Sequence, residues 1–103
     1  MKVIHANECR RILSTEKKVV LIDIREKYEL AEFYTPDALH IPMAEMESNK
    51  DIFEEYTKVV LMCKTGKRAE ALSNYLITEY GYSNILTLEG GIIAYLENTD
   101  VKP

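Results

Sequence analysis

An α/β sandwich around a parallel sheet is the fold class this sequence predicts, on three observations. Two short runs, residues 19–25 and 59–62, are apolar and rich in β-branched side chains, as strands covered on both faces are. Segments of strand and helix character alternate along the chain at the spacing of β-α units. The second run is followed, after a short loop, by a stretch with apolar positions at Ala69, Leu72, Leu76 and Ile77, the stripe of an amphipathic helix.

Each element has its own signal. Val3 and Ile4 make a short apolar first strand. Asn7 is a candidate N-cap for a helix over residues 8–13, with Cys9, Ile12 and Leu13 inward. Residues 14–18 are polar and read as a loop. The strand at residues 19–25 carries Asp23 and Arg25 at its carboxyl end, where open α/β sheets bind ligands. Hydrogen bonding that fixes loops is the favoured reading for Asp23, and Arg25 stays open between that role and substrate contact. Residues 26–33 are helix-compatible, with Tyr28, Leu30, Ala31 and Phe33 as candidates for burial, and Pro36 stops them. Residues 38–41 form a short strand before Pro42, in which His40 reads as structural rather than as a general base. Two short helical stretches follow, at residues 43–47 and 49–56. The run Glu45, Glu47, Asp51, Glu54, Glu55 reads as a solvated face. Beyond the central loop, a helix over residues 68–80 ends at Gly81, a left-handed C-cap by residue type. A last strand at 84–88, the Gly90-Gly91 break, a short helix at 92–97 and a polar tail complete the chain.

Composition narrows the function. The 103 residues suit a single domain, 1–103, and a 47% hydrophobic content supplies a packed core. A net charge of −4 argues against nucleic acid and anionic membrane as partners. No apolar run approaches the roughly 20 residues of a membrane span, and the start lacks a secretory h-region, so the expected setting is the cytoplasm. There a disulfide between the distant Cys9 and Cys63 is not expected. Neither cysteine has C-x-x-C spacing, and His5 and His40 offer no zinc pattern, so neither metal nor cofactor is expected. Cys9 reads as a small buried hydrophobe.

The chemistry concentrates in Cys63-Lys64-Thr65-Gly66-Lys67-Arg68, between a strand and a helix. Backbone amides of such a loop can converge on an anion, and the helix N-terminus adds about half a positive charge. With Lys64, Lys67 and Arg68, every term favours thiolate over thiol at Cys63, and an activated thiolate is a nucleophile. Gly66 permits a conformation that a Cβ would obstruct. Thr65 can orient an S–H or persulfide or be merely solvated, and Lys64 and Lys67 can meet substrate or be plain surface. The alternative is that Cys63 is a core residue at a strand end, which the basic hexapeptide around it makes the poorer reading. A cysteine phosphatase loop spaces its cysteine and arginine by five residues. Here four intervene, a tighter ring better matched to one terminal sulfur than to a tetrahedral phosphate.

These residues resemble the rhodanese-like sulfurtransferase domain, in four motifs along nearly the whole chain. Residues 20–26 resemble its apolar strand ending in Asp-x-Arg. Residues 36–42, Pro-Asp-Ala-Leu-His-Ile-Pro, resemble its Pro-Gly-Ala-x-Asn-Ile-Pro segment. Residues 63–68 resemble its Cys-x-x-Gly-x-Arg loop, and residues 88–95 its closing Gly-Gly-x-x-x-Trp motif with Tyr95 for the tryptophan. The resemblance implies a three-layer fold, a five-stranded mainly parallel sheet with helices on both faces. It implies a sulfurtransferase in which Cys63 takes sulfane sulfur from thiosulfate or a protein persulfide. The persulfide then passes its sulfur to a nucleophilic acceptor, a sulfur carrier or a thiol. Lys64, Thr65, Gly66, Lys67 and Arg68 would bind the donor, with Asp23 and Arg25 in support. Competing readings are a non-catalytic partner-binding module of the same family and a related cysteine phosphatase or arsenate reductase. Where the family has a glycine turn, this chain has Phe33-Tyr34-Thr35 and then Asp37, which predicts an altered backbone at that corner. Residues 91–100 are similar to family domains fused behind adenylylating enzymes, so a free domain and a part of a larger protein are both open.

Overall fold

In the computed structural model, which describes residues 2–97, five strands form one sheet in the order β1-β5-β4-β2-β3. They are β1 (Lys2–Ile4), β2 (Val19–Asp23), β3 (Ala38–His40), β4 (Lys58–Met62) and β5 (Ile85–Leu88). Every pairing is parallel, so the mainly parallel expectation becomes a wholly parallel sheet. The α-helices are α1 (Ala6–Thr15), α2 (Ile52–Glu55), α3 (Lys67–Tyr80) and α4 (Gly91–Glu97).

Strand periodicity divides the core in two. Along β4, Val59, Leu61 and the following Cys63 point to one face, and Val60 and Met62 to the other. The first set packs with Ile22, Leu72 and Leu76 under α2 and α3. The second packs with Cys9, Ile12, Ile92 and Tyr95 under α1 and α4. Both faces of β2 and β4 are therefore covered, the reason their sequences are nearly unbroken apolar runs. Cys9 lies fully buried in the second layer, where burial pushes its thiol up to about 12. Among the described residues no helix is long and apolar enough to cross a membrane.

The structure revises three local expectations. Helix α1 starts at Ala6, so Asn7 lies inside it and His5 takes the N-cap position instead, its carbonyl accepting from the Cys9 amide at 2.9 Å. The corner before β3 is an ordinary tight turn: Ala38 N donates to Thr35 O at 3.5 Å and Asp37 N to Thr35 Oγ1 at 3.2 Å, with no left-handed residue. The altered backbone expected there is absent because Thr35 and Pro36 provide the turn without glycine.

The third revision concerns residues 26–33, which form a single 3₁₀ segment, Lys27–Ala31, rather than an α-helix. The cause is Arg25. Its guanidinium is fully buried and grips Asp23, with Nη2 to Oδ2 at 2.7 Å and Nε to Oδ1 at 2.9 Å. The remaining donors go to the carbonyls of Glu29 (3.1 Å) and Phe33 (2.7 Å), folding the segment over the guanidinium, while the Glu29 carbonyl also accepts the Glu32 amide at the i+3 spacing of a 3₁₀ turn (3.1 Å). Tyr28, expected inside, is 78% exposed, because the tighter winding turns it to solvent. His40 donates from Nε2 to the Arg25 carbonyl at 2.7 Å, a structural role as the sequence suggested.

A buried pair with one partner removed leaves an uncompensated charge, so Asp23→Ala is expected to cost roughly 3–5 kcal/mol. Urea denaturation should show a clearly larger loss than for Glu8→Ala, which breaks the exposed Arg11–Glu8 pair.

Candidate active site

Strand β4 is the centre of the sheet, flanked by β5 and β2, and Cys63 directly follows it. This is the carboxyl edge at which open α/β sheets place ligands. Cys63 belongs by alternation to the α3 face, so its Sγ turns toward the start of that helix. Gly66 occupies the N-cap position with φ of 107° and sends its amide to Sγ at 3.1 Å. The amide of Ala69, in the first turn of α3, reaches Sγ at 3.4 Å. First-turn amides have no intrahelical acceptor, so they are available to an anion. The sulfur is thus held by backbone donors, and Cys63 is only 1% exposed.

The Gly90-Gly91 turn clamps the loop from behind. Ile92 N donates to the Cys63 carbonyl at 2.8 Å and Ile93 N to the Lys64 carbonyl at 3.3 Å. Gly91, at φ 62°, sits so close that an added Cβ would overlap the carbonyls of Lys64 and Cys63.

The cations of the loop meet different fates. Arg68 donates from Nη1 and Nη2 to the two carboxylate oxygens of Glu29, both at 2.8 Å. Lys64 pairs with Glu32 at 3.2 Å, its ammonium 5.8 Å from the ring of Phe33. Lys67 and Thr65 are exposed. The loop therefore brings Cys63, Gly66 and the helix start together, while Arg68 reaches the site as half of an ion pair. Asp23 and Arg25 do not touch the sulfur. They hold the segment that carries Glu29.

Glu29 was not singled out from sequence. Its signal is faint: it stands three residues after Glu26, whose amide donates to Glu29 Oε2 at 2.9 Å. The Arg68 hydrogen bonds hold its carboxyl far below the ordinary 4.5, at about 2, and that side chain is only 15% exposed.

A cleft of about 380 Å³ opens beside the loop, lined by Thr65, Gly66, Lys67, Glu70, Glu89 and Gly90 among others. A larger one, about 510 Å³, lies against Arg10, Ser14, Asp37 and Tyr95 on the α1/α4 face and includes no residue of the loop. Chemistry rather than size selects the first.

Comparison with known proteins agrees with the geometry. A family model described as the rhodanese-like domain matches residues 5–98. A sulfurtransferase of Allochromatium vinosum is 37% identical over 86 residues, covering 84% of this chain and 78% of that protein. YtwF of Bacillus subtilis, also named as a sulfurtransferase, is 28% identical over 102 residues, covering 99% and 97%. Among solved structures, a rhodanese-like domain protein from Staphylococcus aureus superposes with a TM-score of 0.77 at 30% identity, covering 92% of this chain and 91% of that one.

Two outcomes follow from the site's construction. Glu29 has a depressed folded value, so the stability it lends is complete above 4.5 and is lost as pH falls toward about 2. Thermal melts should place Glu29→Gln below the parent at neutral pH and bring the two together as pH approaches 2. Gly91→Ala should lose more than about 1 kcal/mol from backbone strain alone, read by denaturant unfolding.

Proposed function

The chain belongs to the rhodanese-like domain family, and on that premise we propose a sulfurtransferase that carries sulfane sulfur as a persulfide on Cys63. The donor is thiosulfate or a persulfide, the acceptor a sulfur carrier or other thiol, and the setting the cytoplasm. One observation carries the reading: the Cys63 sulfur faces two backbone amides, at 3.1 and 3.4 Å, at the mouth of a helix.

The step balances without a cofactor. The Cys63 thiolate attacks the outer sulfur of the donor and forms a new S–S bond. The donor's own bond to that sulfur breaks, and sulfite or a thiolate leaves with the electron pair. Cys63 then bears S–S⁻, whose charge the Gly66 and Ala69 amides and the helix dipole stabilise. In the second half, an acceptor thiolate attacks the outer sulfur and Cys63 leaves as thiolate. The short loop supports sulfur over phosphate, because four residues between Cys63 and Arg68 make a narrow ring.

Intact mass spectrometry after incubation with thiosulfate or a persulfide donor should show the gain of one sulfur atom. Cyanide should remove it, and Cys63→Ser should never acquire it. If the protein gains no sulfur from any such donor, the proposal fails.

A further inference from the structure

The charges around Cys63 decide which donor suits it, given that it carries sulfur as proposed above. We infer that the site is adapted to a persulfide borne on an organic thiol and discriminates against the small dianion thiosulfate.

By sequence the loop carries Lys64, Lys67 and Arg68, a surplus of positive charge. In the fold that surplus is gone. Both terminal nitrogens of Arg68 are bound to Glu29, and Lys64 lies 3.2 Å from Glu32. Among the described residues no carboxylate lies within ion-pair distance of Lys67, yet it shares its cleft with Glu70 and Glu89. Carboxylates therefore outnumber cations around the loop, in a chain of net charge −4. Exposed ion pairs bind weakly, but what a diffusing anion senses is their summed charge, and here that sum gives no attraction.

Thiosulfate must bring two negative charges to a thiolate; a persulfide anion R–S–S⁻ brings one. Coulomb repulsion in the encounter is about twice as large for the former, and the site holds no free cation pair to offset it. The rim supplies what a carbon-bearing donor can use. Tyr28 is 78% exposed on the segment that carries Glu29, and Phe33 lies half-buried with the Lys64 ammonium 5.8 Å from its ring. Aromatic side chains offer large contact area to an organic carrier and none to thiosulfate, which is polar throughout.

In the favoured step, Cys63–S⁻ bonds to the outer sulfur of R–S–S⁻, the S–S bond of the donor breaks and R–S⁻ departs with the electron pair. Cys63–S–S⁻ remains, with two negative charges before and after and no net oxidation.

The test is a single-turnover time course of sulfur loading, read by intact mass, at equal concentrations of thiosulfate, cysteine persulfide and persulfidated serum albumin. Both persulfides should load Cys63 about tenfold faster than thiosulfate, or more, the effect of one extra unit charge at close range. The faster of the two identifies a small or a protein carrier as the source. Glu32→Gln, which frees Lys64 at an exposed position, should narrow the gap by speeding thiosulfate several-fold. Tyr28→Ala should slow the persulfides more than thiosulfate. Equal or faster loading by thiosulfate in the parent protein, or a gap unmoved by Glu32→Gln, would overturn the inference and leave the sulfur-carrier reading standing. Loading from none of the three donors would overturn both.

Discussion

The buried grip of Arg25 on Asp23 is the interaction on which the surroundings of the Cys63 loop depend. Within β2 and the residue pair after it, the carboxylate orients a guanidinium with no access to water. The guanidinium's other donors reach the carbonyls of Glu29 and Phe33 and so shape the connection to β3. That connection delivers Glu29 to Arg68, at the first turn of α3. The same turn offers the Ala69 amide to the Cys63 sulfur. A polar pair at the end of β2 is thus linked, through Glu29, to the first turn of α3. An ion pair this deeply buried is weak evidence for net stability, but it is strongly directional. Its contribution here is geometric.

From the opposite side the Gly90-Gly91 turn fixes the loop by close approach. The amides of Ile92 and Ile93 bond the carbonyls of Cys63 and Lys64, and side-chain-free backbone is what allows them near. The carbonyls of Cys63 and Lys64 are thereby turned toward α4, while the amides of Gly66 and Ala69 face the sulfur. This division of donors and acceptors makes the cradle selective for negative charge without relying on the lysines.

Two cysteines in one chain show how position assigns chemistry. Cys9 lies within the α1/α4 layer, surrounded by apolar side chains, and burial holds it as a thiol. Cys63 is equally hidden from solvent yet ends a central strand against helix amides. Exposure alone does not separate them; hydrogen-bond donors do.

The parallel α/β fold and the identity of the loop cysteine were legible in sequence because both rest on local patterns. Unbroken β-branched runs, a helical stripe beginning at Ala69 and a glycine three residues after Cys63 are each read from neighbours in the chain. The form of residues 26–33 was not, because a buried arginine overrode helical periodicity, and its carbonyl partners are known only once β2 is in place. Nor was the net charge at the site legible: three cations lie within six residues, whereas Glu29 and Glu32 come from more than thirty residues away and meet them only in the fold. Sequence determined which thiol and which cations stand together in the loop after β4. Tertiary structure decided which of their charges remain unpaired, because Coulomb interactions follow distance in space rather than along the chain.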